Sequence, residues 1–165
     1  MKADQDTNRP IRVLMVCHGN ICRSPMAEFI LRDMARKRGL SDRLEIASAA
    51  TSAEELGNPV YPPARAELAR HGISCNGKTA RQVARADYAR YDYLIVMEQY
   101  NIRNLLRLTG GDPQGKVCRL LDFSARPRDI DDPWYSGDFT RAYADIVEGC
   151  EALLDTLFKN GRLEK

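Results

Sequence analysis

The chain has 165 residues, which is enough for one domain with a well-packed core. Its 44% apolar and 29% charged residues are an ordinary balance for a globular protein. The formal net charge of +2 argues against a general nucleic-acid binder, because such proteins normally carry a larger basic excess clustered on one face.

The first ten residues are polar and lack the apolar segment of a signal peptide. We therefore expect a flexible tail at residues 1–10, followed by a single domain at residues 11–160. No later run approaches the roughly 18 to 20 apolar residues that cross a bilayer, so we expect a cytoplasmic protein without membrane contact. Its five cysteines should then be mostly reduced, and only Cys17 and Cys22 are closely spaced, which is too few ligands for zinc.

The first half of the chain alternates strand and helix signals. Residues 11–16 form a short apolar run rich in branched side chains, typical of a buried strand. A helix should follow, with Ser24 as its cap, Pro25 in its first position and Gly39 beyond its end. We predict a second strand at residues 44–49 and further helices at residues 64–71 and 80–86.

The second half continues the alternation. The predicted elements are a strand at 91–97, a helix at 98–108, a strand at 117–121, an irregular acidic segment at 122–137 and a helix at 139–158. Strands that alternate with helices indicate an α/β fold, in which helices cover both faces of a parallel sheet.

The loop CHGNICRS after the first strand is the strongest chemical signal. Ligands of open α/β sheets bind at the carboxyl ends of strands, and a tight loop there can point several N–H groups at one anion. A cysteine at a helix N-terminus beside a guanidinium can have a pKa well below its ordinary value. We therefore expect Cys17 to be a nucleophile without an adjacent base.

Two residues at the end of this loop complete the expected site. Arg23 offers a planar fork to two phosphate oxygens, which a lysine could not match. Ser24 can donate a hydrogen bond to the Cys17 sulfur and so help it to leave from a thiophosphate.

The late segment DIDDPWYSGD supplies candidates for the acid that must protonate a leaving oxygen. Asp132 is the best placed of them, because Pro133 stiffens the chain directly after it. Trp134 and Tyr135 could form a wall against an aromatic leaving group.

The motifs V-C-H-G-N-I-C-R-S-P-M-A-E at 16–28 and D-P-W-Y at 132–135 resemble those of the low-molecular-weight protein tyrosine phosphatases. The resemblance covers residues 11–158 and implies a flavodoxin-like sheet of four parallel strands. It also implies a two-step hydrolysis of phosphotyrosine in proteins. In it, Cys17 accepts the phosphoryl group, Arg23 binds it, and Asp132 serves as acid and then as base.

The same resemblance assigns supporting roles. Asn20 would hold the phosphate-binding loop in a strained shape, supported by Ser24 and Ser48, while Cys22 would capture oxidised Cys17 as a reversible disulfide. No metal or organic cofactor is implied, and no oligomeric state. The full phosphate-binding loop would comprise His18, Gly19, Asn20, Ile21, Cys22 and Ser24.

Three positions depart from the family pattern. His18 stands at the pocket mouth where an apolar residue is frequent, and Gly77 stands where some members have a histidine that braces Asn20. Glu54 and Glu55 occupy positions where some members carry an aromatic pocket wall. Two acids at this rim would disfavour substrates with acidic flanks.

Three alternatives remain. The segment GISCNGKT at 72–79 matches a nucleotide-binding pattern, but that loop should follow a strand, and here a helix precedes it. Arsenate reductases share C-x5-R but need further cysteines, and Cys75 and Cys118 lie far apart. Arginine phosphatases commonly have Thr at the position of Ile21 and lack the aromatic pair after Asp-Pro.

Overall fold

The computed structural model describes residues 9–163, and its centre is a sheet of four parallel strands. The strand order is β2-β1-β3-β4, so β1 and β3 are the two central strands. Their bounds are β1 Ile11–Cys17, β2 Leu44–Ala50, β3 Tyr93–Val96 and β4 Val117–Arg119. This sheet confirms the predicted flavodoxin-like α/β fold.

Six helices within residues 9–163 connect and cover these strands. They are α1 Arg23–Lys37, α2 Pro62–Arg70, α3 Asp87–Arg90, α4 Gln99–Thr109, α5 Pro133–Ser136 and α6 Phe139–Lys159. Short 3-10 turns precede β2 at Ser41–Arg43 and follow β4 at Leu120–Phe123. None of the helices in the described part of the chain is long and apolar enough to span a membrane.

Strand β1 is buried on both faces from Val13 onward, which explains its mostly apolar sequence. Val13 and Met15 point into a core formed with the helices α1 and α6, whereas Leu14 and Val16 point into a second core on the opposite face. Because side chains alternate along a strand, this single segment anchors both cores and fixes the position of the loop that follows it.

The predicted helix at residues 80–86 is wrong. Residues 80–84 form no helix, residues 85–86 form a turn, and only the four residues of α3 after them are helical. Ala50 N–H donates to the Arg81 carbonyl at 2.7 Å, and Val83 N–H donates to the Ala50 carbonyl at 2.8 Å. Backbone pairing with the end of β2 therefore overrides the helix propensity of this alanine-rich segment.

The predicted cap of α1 is also wrong, since the helix begins one residue before Ser24 and its N-cap position is Cys22. Because the Ser24 side chain does not cap the helix, it forms the other hydrogen bonds that are described below. The expected tail at residues 1–10 lies mostly outside the described residues.

Candidate active site

The loop between β1 and α1 contains the one residue other than glycine that has a positive φ in the described chain. Asn20 has a φ of 59°, in the left-handed region that asparagine tolerates better than most residues. Such a conformation persists where surrounding contacts fix it. Asn20 is buried, and its side chain donates to Ser24 Oγ at 2.8 Å and to Ser48 Oγ at 3.0 Å.

Cys17 ends β1 and lies at the mouth of this loop. Its Sγ is 2.9 Å from Ser24 Oγ and accepts the backbone N–H of Ser24 at 3.4 Å. Ser24 is in the first turn of α1, so the sulfur faces the positive end of a fifteen-residue helix. These contacts stabilise a negative charge on the sulfur.

The guanidinium of Arg23 is almost completely buried, with 1% of its side chain exposed. It donates to the Ile130 carbonyl at 2.9 Å and pairs with Glu98 at 3.1 Å and with Asp132 at 3.3 Å. Burial alone would lower the pKa of Arg23, but the charges of Cys17, Asp132 and Glu98 raise it above its ordinary value. The guanidinium is thus held as a fixed cation at the base of the pocket.

Asp132 is fixed from two sides. It is the N-cap of α5, and its Oδ1 accepts the backbone N–H of Trp134 at 3.0 Å. Its Oδ2 faces Arg23. The N-cap hydrogen bond therefore holds the carboxyl group at the start of α5, with one oxygen directed at the guanidinium of Arg23.

These side chains line one pocket of about 470 Å³. Trp134 and Tyr135 form part of its rim and are 51% and 86% exposed, and the Trp134 ring packs 4.7 Å from that of Tyr61. The lining residues are Cys17, His18, Gly19, Ile21, Cys22, Arg23, Glu54, Glu55, Glu98, Tyr100, Asp132, Trp134 and Tyr135.

The pocket lies where the strand order reverses, between β1 and β3. Both strands end at the same edge of the sheet, so the loop after β1 and Glu98 after β3 meet there. This crevice is the general ligand site of open α/β sheets. Asn20, Ser24 and Ser48, for which the family resemblance implied supporting roles, lie beneath it rather than in its wall.

Sequence reasoning missed three acidic or aromatic contributors. Glu98 pairs with Arg23, Tyr100 lines the pocket, and Glu28 accepts a hydrogen bond from Ser48 at 2.6 Å beneath the loop. Glu28 carried a signal, because a carboxylate on the buried face of an amphipathic helix needs a specific partner. Glu98 directly follows a buried strand, which is the position at which side chains reach such a crevice.

Cys22 lies beside the nucleophile candidate but has a different environment. Burial, together with the charges of Cys17 and Asp132, raises the pKa of the Cys22 thiol. Burial also raises the pKa of Cys118 to about 12. All five cysteines are free thiols.

The nucleotide-binding pattern at residues 72–79 lacks the structure that it requires. It follows the helix α2 instead of a strand, and no helix opens at Lys78 and Thr79. Within residues 9–163, no group of three or more His, Cys, Asp or Glu side chains could hold a metal ion.

Comparison with known proteins gives one consistent result. The family model described as low molecular weight phosphotyrosine protein phosphatase matches residues 12–163. The low molecular weight protein-tyrosine-phosphatase YfkJ of Bacillus subtilis is 41% identical over 155 residues, which cover 93% of this chain and 99% of that protein. The crystal structure of YfkJ matches with a TM-score of 0.88 and covers 92% of this chain and 96% of the YfkJ chain.

Two further relatives show the breadth of the group. The human low molecular weight phosphotyrosine protein phosphatase is 38% identical over 151 residues, covering 87% of this chain and 93% of its own. The crystal structure of DARP, a Drosophila arginine phosphatase, has a TM-score of 0.82 at 31% identity and covers 88% of this chain and 97% of its own. The chain therefore belongs to the low-molecular-weight protein tyrosine phosphatase family and is a phosphoric monoester hydrolase.

Proposed function

We propose that this enzyme hydrolyses phosphotyrosine in proteins through a phosphocysteine formed on Cys17. One observation carries the proposal. Cys17 and Arg23 flank one short loop, Asp132 follows 109 residues after Arg23, and all three line a single pocket whose rim is aromatic. A nucleophile, a phosphate-binding cation and a carboxyl group are the three parts that this chemistry requires.

In the first step, the Cys17 sulfur attacks phosphorus and the bond between phosphorus and the tyrosyl oxygen breaks. Asp132, in its protonated form, gives its proton to that oxygen, so neutral tyrosine leaves. Arg23 and the N–H groups of the loop bind the equatorial oxygens of the phosphoryl group during transfer.

In the second step, the Asp132 carboxylate takes a proton from water, and the water oxygen attacks phosphorus. The bond between sulfur and phosphorus breaks, inorganic phosphate forms, and Asp132 is again protonated. The Ser24 hydroxyl, 2.9 Å from Cys17 Sγ, stabilises the departing thiolate.

The pocket wall favours an aromatic leaving group. Ile21 is buried against the loop, and Trp134 and Tyr135 present large apolar surfaces at the rim. Such walls suit the flat ring of tyrosine. Phosphoarginine is the second candidate substrate, because the arginine phosphatase DARP resembles this chain in fold and sequence. The cationic guanidino group of phosphoarginine, however, gains less from contact with these apolar walls than a tyrosine ring does.

Matched phosphotyrosine, phosphoserine and phosphoarginine peptides of the same flanking sequence test this assignment. We expect kcat/KM for phosphotyrosine to exceed the other two by about a hundredfold or more, since an unfilled apolar pocket forfeits roughly 3 kcal/mol. Preferred hydrolysis of phosphoarginine would overturn the substrate assignment.

We further propose that Cys22 protects oxidised Cys17 by forming a disulfide, and that the enzyme acts in the cytoplasm. Both cysteines line the same pocket and are free thiols. Free thiols of this kind persist in a reducing compartment.

The acidic rim should select against acidic substrates. Glu54 and Glu55 line the mouth, and Glu54 pairs with His18 at 3.1 Å. Exchange of Glu54 for lysine should raise kcat/KM for a phosphotyrosine peptide with acidic flanks about three- to tenfold at low salt. This gain should become smaller at higher salt concentration, because salt screens the attraction between the lysine and the acidic flanks.

The matched control is Glu151→Lys, which alters an exposed glutamate on α6 that does not line the pocket. It makes the same change in net charge. An equal gain in both variants would assign the effect to overall charge and contradict a role of the rim.

A further inference from the structure

A chain of buried side chains runs from Cys17 away from the pocket into the protein. Cys17 Sγ is 2.9 Å from Ser24 Oγ, and Asn20 Nδ2 donates to both Ser24 Oγ and Ser48 Oγ. Ser48 Oγ in turn donates to Glu28 Oε1 at 2.6 Å. Ser24 and Ser48 are fully buried and Glu28 is 3% exposed, so water does not compete for these hydrogen bonds.

The Asn20 amide nitrogen and the Glu28 carboxylate together set the directions of the hydrogen bonds in this chain. An ionised carboxylate only accepts, so the single hydrogen of Ser48 points to Glu28. Ser48 then accepts from Asn20, whose second amide hydrogen goes to Ser24. Because Ser24 Oγ accepts there, its own hydrogen is available for the Cys17 sulfur.

A protonated Glu28 would disturb this order. Its O–H could donate to Ser48, whose own hydrogen would then lose the Glu28 oxygen as its acceptor. Ser48 would then be held less firmly, which would weaken one of the three hydrogen bonds that fix the Asn20 side chain. The other two join Asn20 to Ser24 Oγ and to the Arg81 N–H.

Two cations lie beside the buried carboxylate. Arg32 Nη2 pairs with Oε2 at 2.7 Å, but half of the Arg32 side chain is exposed. Lys78 Nζ lies 3.7 Å from Oε1, the oxygen that accepts from Ser48, and also donates to the Ser48 carbonyl at 2.9 Å. Only 12% of the Lys78 side chain is exposed, so its charge acts with little screening.

Lys78 is the lysine of the nucleotide-like pattern at residues 72–79, and it follows Gly77, where some family members have a bracing histidine. The structure directs this side chain beneath the phosphate-binding loop. Burial, with the nearby charges of Arg81 and Arg32, lowers the pKa of Lys78, and Glu28 opposes that shift. Removal of either partner of this buried ion pair would leave the charge of the other without compensation.

We propose that Lys78 and Glu28 are positioning residues for Cys17, which hold Ser48 and through it the Asn20 side chain, so that Ser24 keeps its place beside the sulfur. The inference rests on the proposed function, because it assigns these two residues to the step in which the Cys17 thiolate attacks and later leaves. Neither residue touches the substrate.

The test compares Lys78→Met, Lys78→Arg and Glu28→Gln with the native enzyme. We measure kcat and KM for p-nitrophenyl phosphate and the rate at which iodoacetamide alkylates Cys17 at pH 6, located by peptide mass mapping. Lys78→Met and Glu28→Gln should lower kcat and the alkylation rate about tenfold or more, with little change in KM, because a hydrogen bond to a charged group is lost. Lys78→Arg should restore most of both rates.

The matched control is Lys116→Met. Lys116 Nζ also donates to a backbone carbonyl, that of Tyr88 at 2.6 Å, but it does not contact the chain beneath Cys17. Lys116→Met should leave both rates unchanged. Normal rates in Lys78→Met with only a lower melting temperature, or equal losses in the two methionine variants, would overturn the proposal.

A further variant covers the case in which Lys78→Met does not fold. Lys78→Gln retains a donor for the Ser48 carbonyl without the charge, and it should show the same losses in both assays. Normal rates in Lys78→Gln would equally overturn the proposal. If the native enzyme fails to hydrolyse any aryl phosphate while the alkylation rates change as expected, the positioning role stands and the proposed function fails.

Discussion

Replacement of Cys17 with serine should lower kcat for phosphotyrosine peptides by about 10⁴-fold or more, because a neutral hydroxyl is a far weaker nucleophile than a thiolate. The buried sulfur is close to Ser24 and accepts its N–H group, and a smaller hydroxyl oxygen should fit there without unfolding the loop. Substrate should therefore still bind, and initial rates together with peptide binding measured by calorimetry check both halves of the prediction.

The control for this variant is Cys118→Ala. Cys118 is a free, half-buried thiol on β4 that does not line the pocket, so its loss should leave kcat within about twofold of the native value. Appreciable turnover by Cys17→Ser would mean that another group attacks phosphorus.

The second large effect is expected for Asp132→Asn, which should lower kcat for phosphotyrosine peptides about 10²- to 10³-fold. An amide cannot give a proton to the tyrosyl oxygen or take one from water. For p-nitrophenyl phosphate, whose leaving group needs little protonation, formation of the phosphocysteine should slow much less than its hydrolysis. Pre-steady-state rates for the two substrates separate these steps.

Asn is a good N-cap, so this variant should keep the α5 cap that Asp132 forms with Trp134 N–H. Asp138→Asn is the matched control. Asp138 caps α6 through Arg141 N–H at 2.9 Å and does not line the pocket. Equal losses in the two variants would show that cap geometry rather than proton transfer is responsible.

The fold was predictable wherever local sequence and tertiary structure agree. The run at residues 11–16 has one interpretation, because only a strand buried on both faces uses so many branched apolar residues in succession. The segment A-R-Q-V-A-R-A at residues 80–86 is compatible with a helix or with an extended chain. Here its helix propensity is weaker than the backbone pairing that the tertiary structure provides. Arg81 and Val83 instead form backbone bonds to Ala50, a residue about thirty positions earlier whose proximity no local pattern reveals.

The same limit applies to the site. Cys17 and Arg23 share one short loop, so their spacing carried the chemical signal, and Asp132 followed from a second motif. Glu98 reaches Arg23 only because β1 and β3 are neighbours in the sheet. Lys78 reaches Glu28 across fifty residues, and its sequence context indicated a nucleotide loop that the structure does not form.

The most direct test of the account is to trap the phosphoryl group on the enzyme. Asp132→Asn is mixed with p-nitrophenyl phosphate carrying labelled phosphorus, quenched in acid within one turnover and digested. We predict label on the peptide that contains Cys17, at close to one phosphoryl group per molecule, and none in Cys17→Ser. Release of labelled phosphate without any labelled Cys17 peptide would contradict the phosphocysteine mechanism.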